Sequence, residues 1–186
     1  RQRQMCIRDS ISSTPSAYAL ERAKAAGIPG YVAARKDYPS SQAMTAALVD
    51  KLKGLDIDLV VLAGFMVILT GEMVRAFPNA ILNVHPALIP SFCGAGYYGL
   101  HVHEAALAYG VKLTGATVHF VDEGTDTGPI IMQKAVRVYP SDTPEVLQAR
   151  VMEQAEHIIL PKVVRLLVQD KICVKQRKVY VEEEDQ

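Results

Sequence analysis

The sequence predicts an α/β fold in which helices flank a mostly parallel sheet. Patterns typical of strands alternate with patterns typical of helices along the chain. Two runs, 56–64 (DIDLVVLAG) and 80–85 (AILNVH), are apolar almost throughout, as in strands that are buried on both faces of a parallel sheet. The chain has 186 residues, of which 49% are hydrophobic, so it is long enough to bury the core of one domain.

The first half of the chain alternates regularly between apolar periodicity and turn residues. Gly27 ends the first helix, and Ser40 or Ser41 caps the second. The predicted elements are, in order, a helix at 16–27, a short strand at 28–34, a helix at 40–55, the buried strand at 56–64, a short helix at 70–77 and the buried strand at 80–85.

The second half continues the alternation and ends in a hairpin pattern. Asp142 is predicted to cap its long helix, with Pro144 in the first turn and Glu145 as the capping-box partner. Pro161 must bend or restart the helix that follows, because proline lacks the backbone N–H that a helix uses. The predicted elements are a helix at 103–110, strands at 114–121 and 129–138, a helix at 142–157, a hairpin at 171–181 and a solvated tail at 182–186.

The first ten residues, RQRQMCIRDS, do not fit this pattern. A sheet of this type usually opens with an apolar strand and a Gly-rich turn, whereas this chain enters at the edge of a strand (SISS). We therefore expect residues 1–10 to be foreign to the fold or disordered. Residues 11–186 should form a single domain that lacks its first strand. The basic start has no apolar segment behind it, so it is not a signal peptide.

Charge and cysteine content exclude several classes of protein. Lys+Arg and Asp+Glu both number 20, and this balance argues against nucleic-acid or membrane-surface binding, which require a basic excess. The three cysteines, Cys6, Cys93 and Cys173, have no ligand-like spacing and read as reduced thiols in a cytoplasm. No apolar run approaches the ~20 residues of a membrane span. The sequence predicts a cytoplasmic protein.

Asn83 and His85 stand two positions apart in an otherwise apolar strand. Residues at this spacing project from the same face of a strand, and Pro86 ends the strand because it cannot donate to a central ladder. The pair thus lies at the carboxyl end of a strand, where open α/β sheets bind ligands. Alternatively, His85 is a core histidine whose hydrogen bonds are satisfied, and Asn83 holds a loop in place. We favour a functional role for the pair.

The segment 121–131 (VDEGTDTGPII) carries three acidic residues between two strands. Asp122 and Glu123 are interpreted as parts of a solvated turn. Asp126 differs because small residues flank it and Gly128 leads directly into the next strand. We expect its carboxylate to lie against His85 and to favour the charged, hydrogen-bond-donating form of the imidazole.

An amide, an imidazole and a carboxylate together suit chemistry in which a carbonyl becomes tetrahedral. Amide and imidazole donors stabilise the oxyanion, and the carboxylate moves a proton through water. The chain has no GxSxG pattern, so the nucleophile must come from a substrate. His101 and His103 raise the possibility of a metal site, but their spacing at a helix start and the lack of an acidic ligand lead us to expect none. The run 62–69 (LAGFMVIL) is either core packing or a slot for a flat ring.

Three motifs, 62–69 (LAGFMVIL), 81–92 (ILNVHPALIPSF) and 115–131 (GATVHFVDEGTDTGPII), resemble in order and spacing the phosphoribosylglycinamide formyltransferases, folate-dependent enzymes of purine synthesis. The resemblance runs from about residue 11 to the end of the chain. It implies a Rossmann-like formyltransferase fold. It also implies transfer of a formyl group from 10-formyltetrahydrofolate to the amine of glycinamide ribonucleotide, with small molecules as partners, no metal, and a monomer or homodimer.

The resemblance also implies roles for individual residues. Asn83 and His85 would stabilise the oxyanion, and Asp126 would orient His85 and assist proton transfer. Glu156 would hold the ribose hydroxyls of the nucleotide. The pterin slot would be lined by Leu62, Phe65, Met66, Val67, Ile68, Leu69, Val74 and Ile81, and completed by the backbone of Asp122, Glu123, Gly124, Thr125 and Asp126.

The chain departs from the family pattern in two places. The strand and Gly-rich turn that cradle the nucleotide phosphate through backbone N–H groups have no counterpart at its start. The segment 91–103 (SFCGAGYYGLHVH) is longer than in some relatives, so Cys93, Tyr97, Tyr98 and His103 are assigned only loosely. This segment is either a mobile cover for the site or a plain connector.

Three other functions stay open at this point. A 10-formyltetrahydrofolate hydrolase would use the same scaffold, but that family usually has a second histidine where this chain has Pro86. A methionyl-tRNA formyltransferase would need a basic RNA-facing surface and a C-terminal domain. A non-catalytic binder of folate or nucleotide would follow from loss of the phosphate turn.

Overall fold

Strands and helices alternate along the chain in the computed structural model, which describes residues 7–65 and 69–182. This alternation confirms the predicted α/β class. The described residues divide into two compact units. The N-terminal unit contains residues 7–60, 65 and 69–81, and the C-terminal unit contains residues 61–64 and 82–182.

The described elements follow the predicted order, but the strand predicted at 56–64 covers only three residues, and its middle residue, Val61, is 39% exposed, so this strand is not buried on both faces as expected. The strands are β1 (Ser10–Ser12), β2 (Gly30–Val32), β3 (Val60–Leu62), β4 (Ile81–His85), β5 (Leu113–Phe120), β6 (Ile130–Arg137), β7 (Ile172–Lys175) and β8 (Lys178–Val181). The helices are α1 (Tyr18–Ala25), α2 (Ser41–Gly54), α3 (Gly71–Ala76), α4 (Leu100–Tyr109), α5 (Pro144–Val151) and α6 (His157–Val168). No described helix is long and apolar enough to cross a membrane.

The N-terminal unit is built on the parallel pair β1 and β2. Ser40 caps α2, because its hydroxyl accepts the N–H of Ala43 at 3.0 Å, which identifies which of the two predicted serines is the cap. Met44 and Leu48 project from α2 and pack with Ala33 in a buried cluster. The unit thus has an apolar core of its own.

The larger sheet has the strand order β3-β4-β5-β6 and is mixed. β5 runs antiparallel to β4 and to β6. A loop alone joins β5 to β6, whereas α4 lies between β4 and β5 in the chain. The register between β4 and β5 places Asn83 beside His119 and His85 beside Thr117. Polar side chains from two strands therefore meet at one end of this sheet.

The helix predicted at 142–157 differs from the prediction in its N-cap residue and in the place where it is interrupted. Thr143, not Asp142, caps α5 by accepting the N–H of Val146, while Asp142 accepts a hydrogen bond from Arg150 at 2.6 Å. The prediction of an Asp142 cap is wrong because this ion pair uses the carboxylate. The capping box predicted between Asp142 and Glu145 therefore does not form.

The helix also does not restart at Pro161, which lies inside α6. The interruption comes earlier, where Met152–Glu156 forms a π-helical segment between α5 and α6. A proline lacks the N–H and its ring crowds the carbonyl of the preceding turn, so the distortion falls on the N-terminal side of the ring. π-helical segments are frequent at functional sites, and Glu156 is the last residue of this one.

The C-terminal hairpin is confirmed. β7 and β8 pair antiparallel, with Lys175 opposite Lys178 across a two-residue turn, and β8 packs against β6. Gln176 in this turn has a left-handed φ of 56°. Most of the predicted segment 1–10 and of the predicted tail lies outside the described residues.

Candidate active site

The end of β4 carries the first two predicted site residues. Asn83 and His85 alternate with Val84, so both project from one face of the strand. His85 is buried, and Asn83 is half-buried. The strand ends at His85 directly before Pro86, as predicted.

Asp126 reaches these two side chains from the loop between β5 and β6. Its side chain is only 10% exposed. Oδ2 lies 3.5 Å from Nδ1 of His85, and Oδ1 accepts a hydrogen bond from Nδ2 of Asn83 at 3.4 Å. The structure thus brings the predicted amide, imidazole and carboxylate together.

The loop itself holds Asp126 in this position. Asp126 adopts a left-handed φ of 57°, and the Asp122 carboxylate closes the turn by accepting from the Thr127 hydroxyl at 2.6 Å. Gly128 allows the loop to fold onto β5, because a Cβ there would lie 1.8 Å from the carbonyl oxygen of Phe120. Only glycine fits this close approach.

The segment that follows Pro86 closes the site from another side. The imidazole of His85 donates its Nε2–H to the carbonyl of Phe92 at 2.8 Å, since that oxygen can only accept. The backbone N–H of Gly94 donates to Oδ2 of Asp126 at 3.0 Å. The loop between β4 and α4 therefore supplies two backbone contacts to the site.

His119 completes the cluster and was not identified from the sequence. Its Nδ1 donates to the carbonyl of Phe120 at 2.8 Å, which leaves Nε2 as the acceptor in the neutral ring. Nε2 lies 3.2 Å from Nδ2 of Asn83 and 3.6 Å from Oδ1 of Asp126. A lone histidine in the apolar strand was the available signal, but only the strand register shows that it faces Asn83.

The pKa of His85 is set by opposing effects of burial and of its neighbours. Burial lowers the pKa of His85, and this effect outweighs the hydrogen bond to Phe92 and the Asp126 charge, which both raise it. Asp126 therefore favours the charged imidazole, as expected, but burial opposes the charge more strongly. At neutral pH His85 is a neutral ring whose Nε2–H is fixed by its acceptor.

The pKa of the Asp126 carboxyl group is lowered as well, and for an acid this favours the charged form. Burial alone would raise the pKa of Asp126, but the His119 side chain beside it, the hydrogen bond from the Gly94 N–H and the interaction with His85 lower it on balance. Asp126 is therefore ionised at neutral pH. The site pairs a neutral imidazole with a charged carboxylate.

The predicted ring-binding residues are distributed over both units. Leu62 and residues 122–125 belong to the C-terminal unit, and Phe65, Leu69, Val74 and Ile81 belong to the N-terminal unit. Met66, Val67 and Ile68 lie outside the described residues. The Asp122 carboxylate also accepts the N–H of Gly124, so its side chain is a structural part of the turn.

Glu156 lies at the end of the π-helical segment and is half-buried. Burial raises its pKa, while the neighbouring His157 acts to lower it. A half-buried carboxyl at a helix distortion differs from the solvated surface charge that the helix pattern alone suggests.

The two histidines of α4 differ from each other. His101 is exposed and pairs with Glu104 at 3.0 Å. His103 is fully buried, and neither of its ring nitrogens has a hydrogen-bond partner. Within residues 7–65 and 69–182, no group of three or more His, Cys, Asp and Glu side chains has a geometry that could hold a metal ion.

Comparisons with known proteins match most of the chain. The profile of the family described as Formyl transferase matches residues 2–164. A chloroplastic phosphoribosylglycinamide formyltransferase from Arabidopsis thaliana is 44% identical over 82% of this chain, and the chain spans about half, 52%, of that relative's length.

Two solved structures extend the comparison to the fold. Glycinamide ribonucleotide transformylase 1 from Symbiobacterium toebii has a TM-score of 0.88 at 43% identity, covering 95% of this chain and 80% of its own. A formyltetrahydrofolate deformylase from Pseudomonas syringae has a TM-score of 0.79 at 30% identity, covering 93% of this chain and 55% of its own. Both comparisons confirm the predicted formyltransferase fold.

We predict that Gly128→Ala destabilises the protein by about 1–3 kcal/mol or more, because the added Cβ cannot coexist with the Phe120 carbonyl. The measurement is urea unfolding. Gly54→Ala is the matched control: no atom lies within 4 Å of a Cβ at this helical position, so we expect a gain of about 0.5–1 kcal/mol. Equal stability of the two variants would contradict the close approach.

We predict that His103 makes the protein sensitive to acid. Burial lowers the pKa of His103 to about 4, with a smaller effect of His85, from an ordinary value of 6.5. The neutral His103 ring therefore contributes fully to the free energy of unfolding above pH 6.5, and this contribution is lost as the pH falls toward 4. Between pH 7.5 and 5 the free energy of unfolding should fall by about 2 kcal/mol less in His103→Leu than in the parent.

The control for this experiment is His101→Gln, which changes an exposed histidine of the same helix. Its pH dependence should follow the parent. If His103→Leu also follows the parent from pH 7.5 to 5, the buried ring is not the group that titrates.

Proposed function

This chain belongs to the formyl transferase family, and we propose that it transfers a formyl group from 10-formyltetrahydrofolate to the amine of glycinamide ribonucleotide. The observation that carries the proposal is the convergence of Asn83, His85 and Asp126 at the end of β4. Relatives named as phosphoribosylglycinamide formyltransferase and glycinamide ribonucleotide transformylase support the choice of acceptor. The reaction belongs to purine synthesis.

The reaction needs a group that stabilises negative charge on the formyl oxygen. The amine nitrogen of the nucleotide attacks the formyl carbon, and the carbonyl electron pair moves onto oxygen. His85 offers an Nε2–H that is already directed at an oxygen, the carbonyl of Phe92. A formyl oxygen that replaces this carbonyl would receive the same hydrogen bond, and Asn83 would supply the second donor.

Collapse of the tetrahedral intermediate re-forms the carbonyl and breaks the bond to the folate nitrogen. The attacking amine must lose a proton, and the folate nitrogen must gain one. Asp126 is ionised and contacts His85, so it can accept this proton through water and return it to the leaving nitrogen. When His85 is protonated, its Nδ1–H would donate to the Asp126 carboxylate, which would keep the ring oriented.

Binding of the two substrates is assigned to separate parts of the chain. Leu62 and the backbone of residues 122–126, which belong to the C-terminal unit, would contact the pterin ring. Glu156 would accept hydrogen bonds from the ribose hydroxyls, and its half-buried position favours such a use over a solvated charge. A cytoplasmic location and a monomeric or homodimeric state stay predictions.

Hydrolysis of 10-formyltetrahydrofolate is the second candidate. The similarity to a formyltetrahydrofolate deformylase supports it, but that protein is 30% identical, against 43% for the transformylase. Pro86 stands where the hydrolases usually have a histidine. A non-catalytic folate or nucleotide binder is the third candidate.

We predict that the 186-residue chain deformylates 10-formyltetrahydrofolate only when glycinamide ribonucleotide is present, because the nucleophile is the substrate amine. The measurement is folate absorbance with and without the nucleotide. Turnover without the nucleotide would favour the hydrolase, and folate binding without any turnover would favour the binder.

We predict that His85→Ala lowers kcat about 10²- to 10⁴-fold and leaves folate affinity nearly unchanged, because the imidazole acts on charge that develops in the transition state. The measurements are kcat from steady-state kinetics and Kd from equilibrium titration. His101→Gln, at an exposed histidine, should retain full activity. Equal losses in kcat and in folate affinity for His85→Ala would argue against its role.

A further inference from the structure

We propose that Arg177, at the turn of the β7–β8 hairpin, is a positioning residue that holds the Asp126 loop in its reactive shape. The guanidinium of Arg177 donates from Nη2 to the carbonyl oxygen of Thr127, the residue after Asp126. The inference rests on the proposed formyl transfer. The hairpin lies beyond residues 2–164, which the family profile matches, so this support is not part of the matched segment.

The contact between Arg177 and Thr127 lies next to the strained residue of the loop, Asp126. Asp126 has a left-handed φ of 57°, which costs a non-glycine residue free energy unless neighbouring contacts fix it. On one side of the turn, the Thr127 hydroxyl donates to the Asp122 carboxylate at 2.6 Å. On the other side, the Thr127 carbonyl accepts from Arg177. Thr127 is therefore held from two directions, and Asp126 precedes it directly.

The hairpin is suited to this task because it is itself fixed. Two-residue turns join antiparallel strands tightly, and here the left-handed Gln176 places Arg177 at the tip. β8 packs against β6, the strand that the Asp126 loop enters. The guanidinium and the loop thus both lie at the β6 edge of the sheet, and a charged donor makes a stronger hydrogen bond to a carbonyl than a neutral one.

Asp126 transmits the effect to the reacting groups. Its Oδ2 contacts His85 and accepts the Gly94 N–H, and its Oδ1 faces Asn83 and His119. A loop released at Thr127 would let the carboxylate withdraw from all four groups. The folate-contacting backbone of residues 122–125 would lie on the same released segment.

The first test compares Arg177→Ala with Lys178→Ala, which removes a cation from the same hairpin without removing the contact to Thr127. Arg177→Ala should lower kcat about three- to tenfold, as expected for the loss of one solvent-exposed hydrogen bond. Arg177→Lys should recover part of this loss, because an ammonium also donates to a carbonyl. Lys178→Ala should keep the parent kcat, and an equal loss there would overturn the proposal.

The second test is a double-mutant cycle with Asp126→Asn, measured in single turnovers. If Arg177 acts through the Asp126 carboxylate, Arg177→Ala should cost little further rate in the Asp126→Asn background. The same fold-loss in both backgrounds would show that Arg177 acts elsewhere and would overturn the proposal.

A third measurement separates this inference from the proposed reaction. Titration of the His85 ring by NMR needs no substrate. Because the Asp126 charge raises the pKa of His85, Arg177→Ala should lower that pKa toward its value in Asp126→Asn, while Lys178→Ala should not. A chain without formyl transfer could still show this shift, whereas an unchanged titration would refute the positioning role.

Discussion

The site depends on one buried carboxylate. Asp126 contacts Asn83 and His119 through Oδ1, and His85 and the Gly94 N–H through Oδ2. These groups come from β4, from β5 and from the loop before α4, so a single side chain joins three segments that are distant in the chain. Removal of the carboxylate would leave buried polar groups without a partner, which is more costly than losing the same bonds at a surface.

Holding the carboxylate there requires compensation from the rest of the loop. Burial of an ionised group is unfavourable unless it is hydrogen-bonded, and the left-handed backbone of Asp126 adds strain. Gly128 permits the loop to fold onto β5, and Asp122 and Arg177 hold Thr127 from two sides. The same contacts that stabilise the fold locally therefore orient the proposed catalytic groups.

Burial also decides the chemistry of His85. The residues alone suggest a charged imidazole beside an aspartate, but removal from water opposes the charge more strongly than Asp126 favours it. A neutral ring can still donate through Nε2, and the Phe92 carbonyl selects that tautomer. The loop between β4 and α4 thus helps to set the protonation of His85 as well as joining the two elements.

The sequence by itself determined the α/β class, the order of the elements and the three residues that meet at the site. Apolar periodicity, the Asn83–His85 spacing and the glycine beside Asp126 are local patterns, and local patterns report which face of a strand a side chain occupies. These patterns do not predict which of two possible contacts a side chain makes. Asp142 could have capped the helix, but it pairs with Arg150, and Thr143 is the cap.

Only the tertiary structure decided the participation of His119, the neutral state of His85 and the contact of Arg177 with the Asp126 loop. His119 faces Asn83 through the register of two strands, and Arg177 reaches Thr127 across 50 residues of chain. The pKa of His85 follows from its total burial. Strand register, long-range contact and burial are properties of packed neighbours, which residue spacing along the chain does not specify.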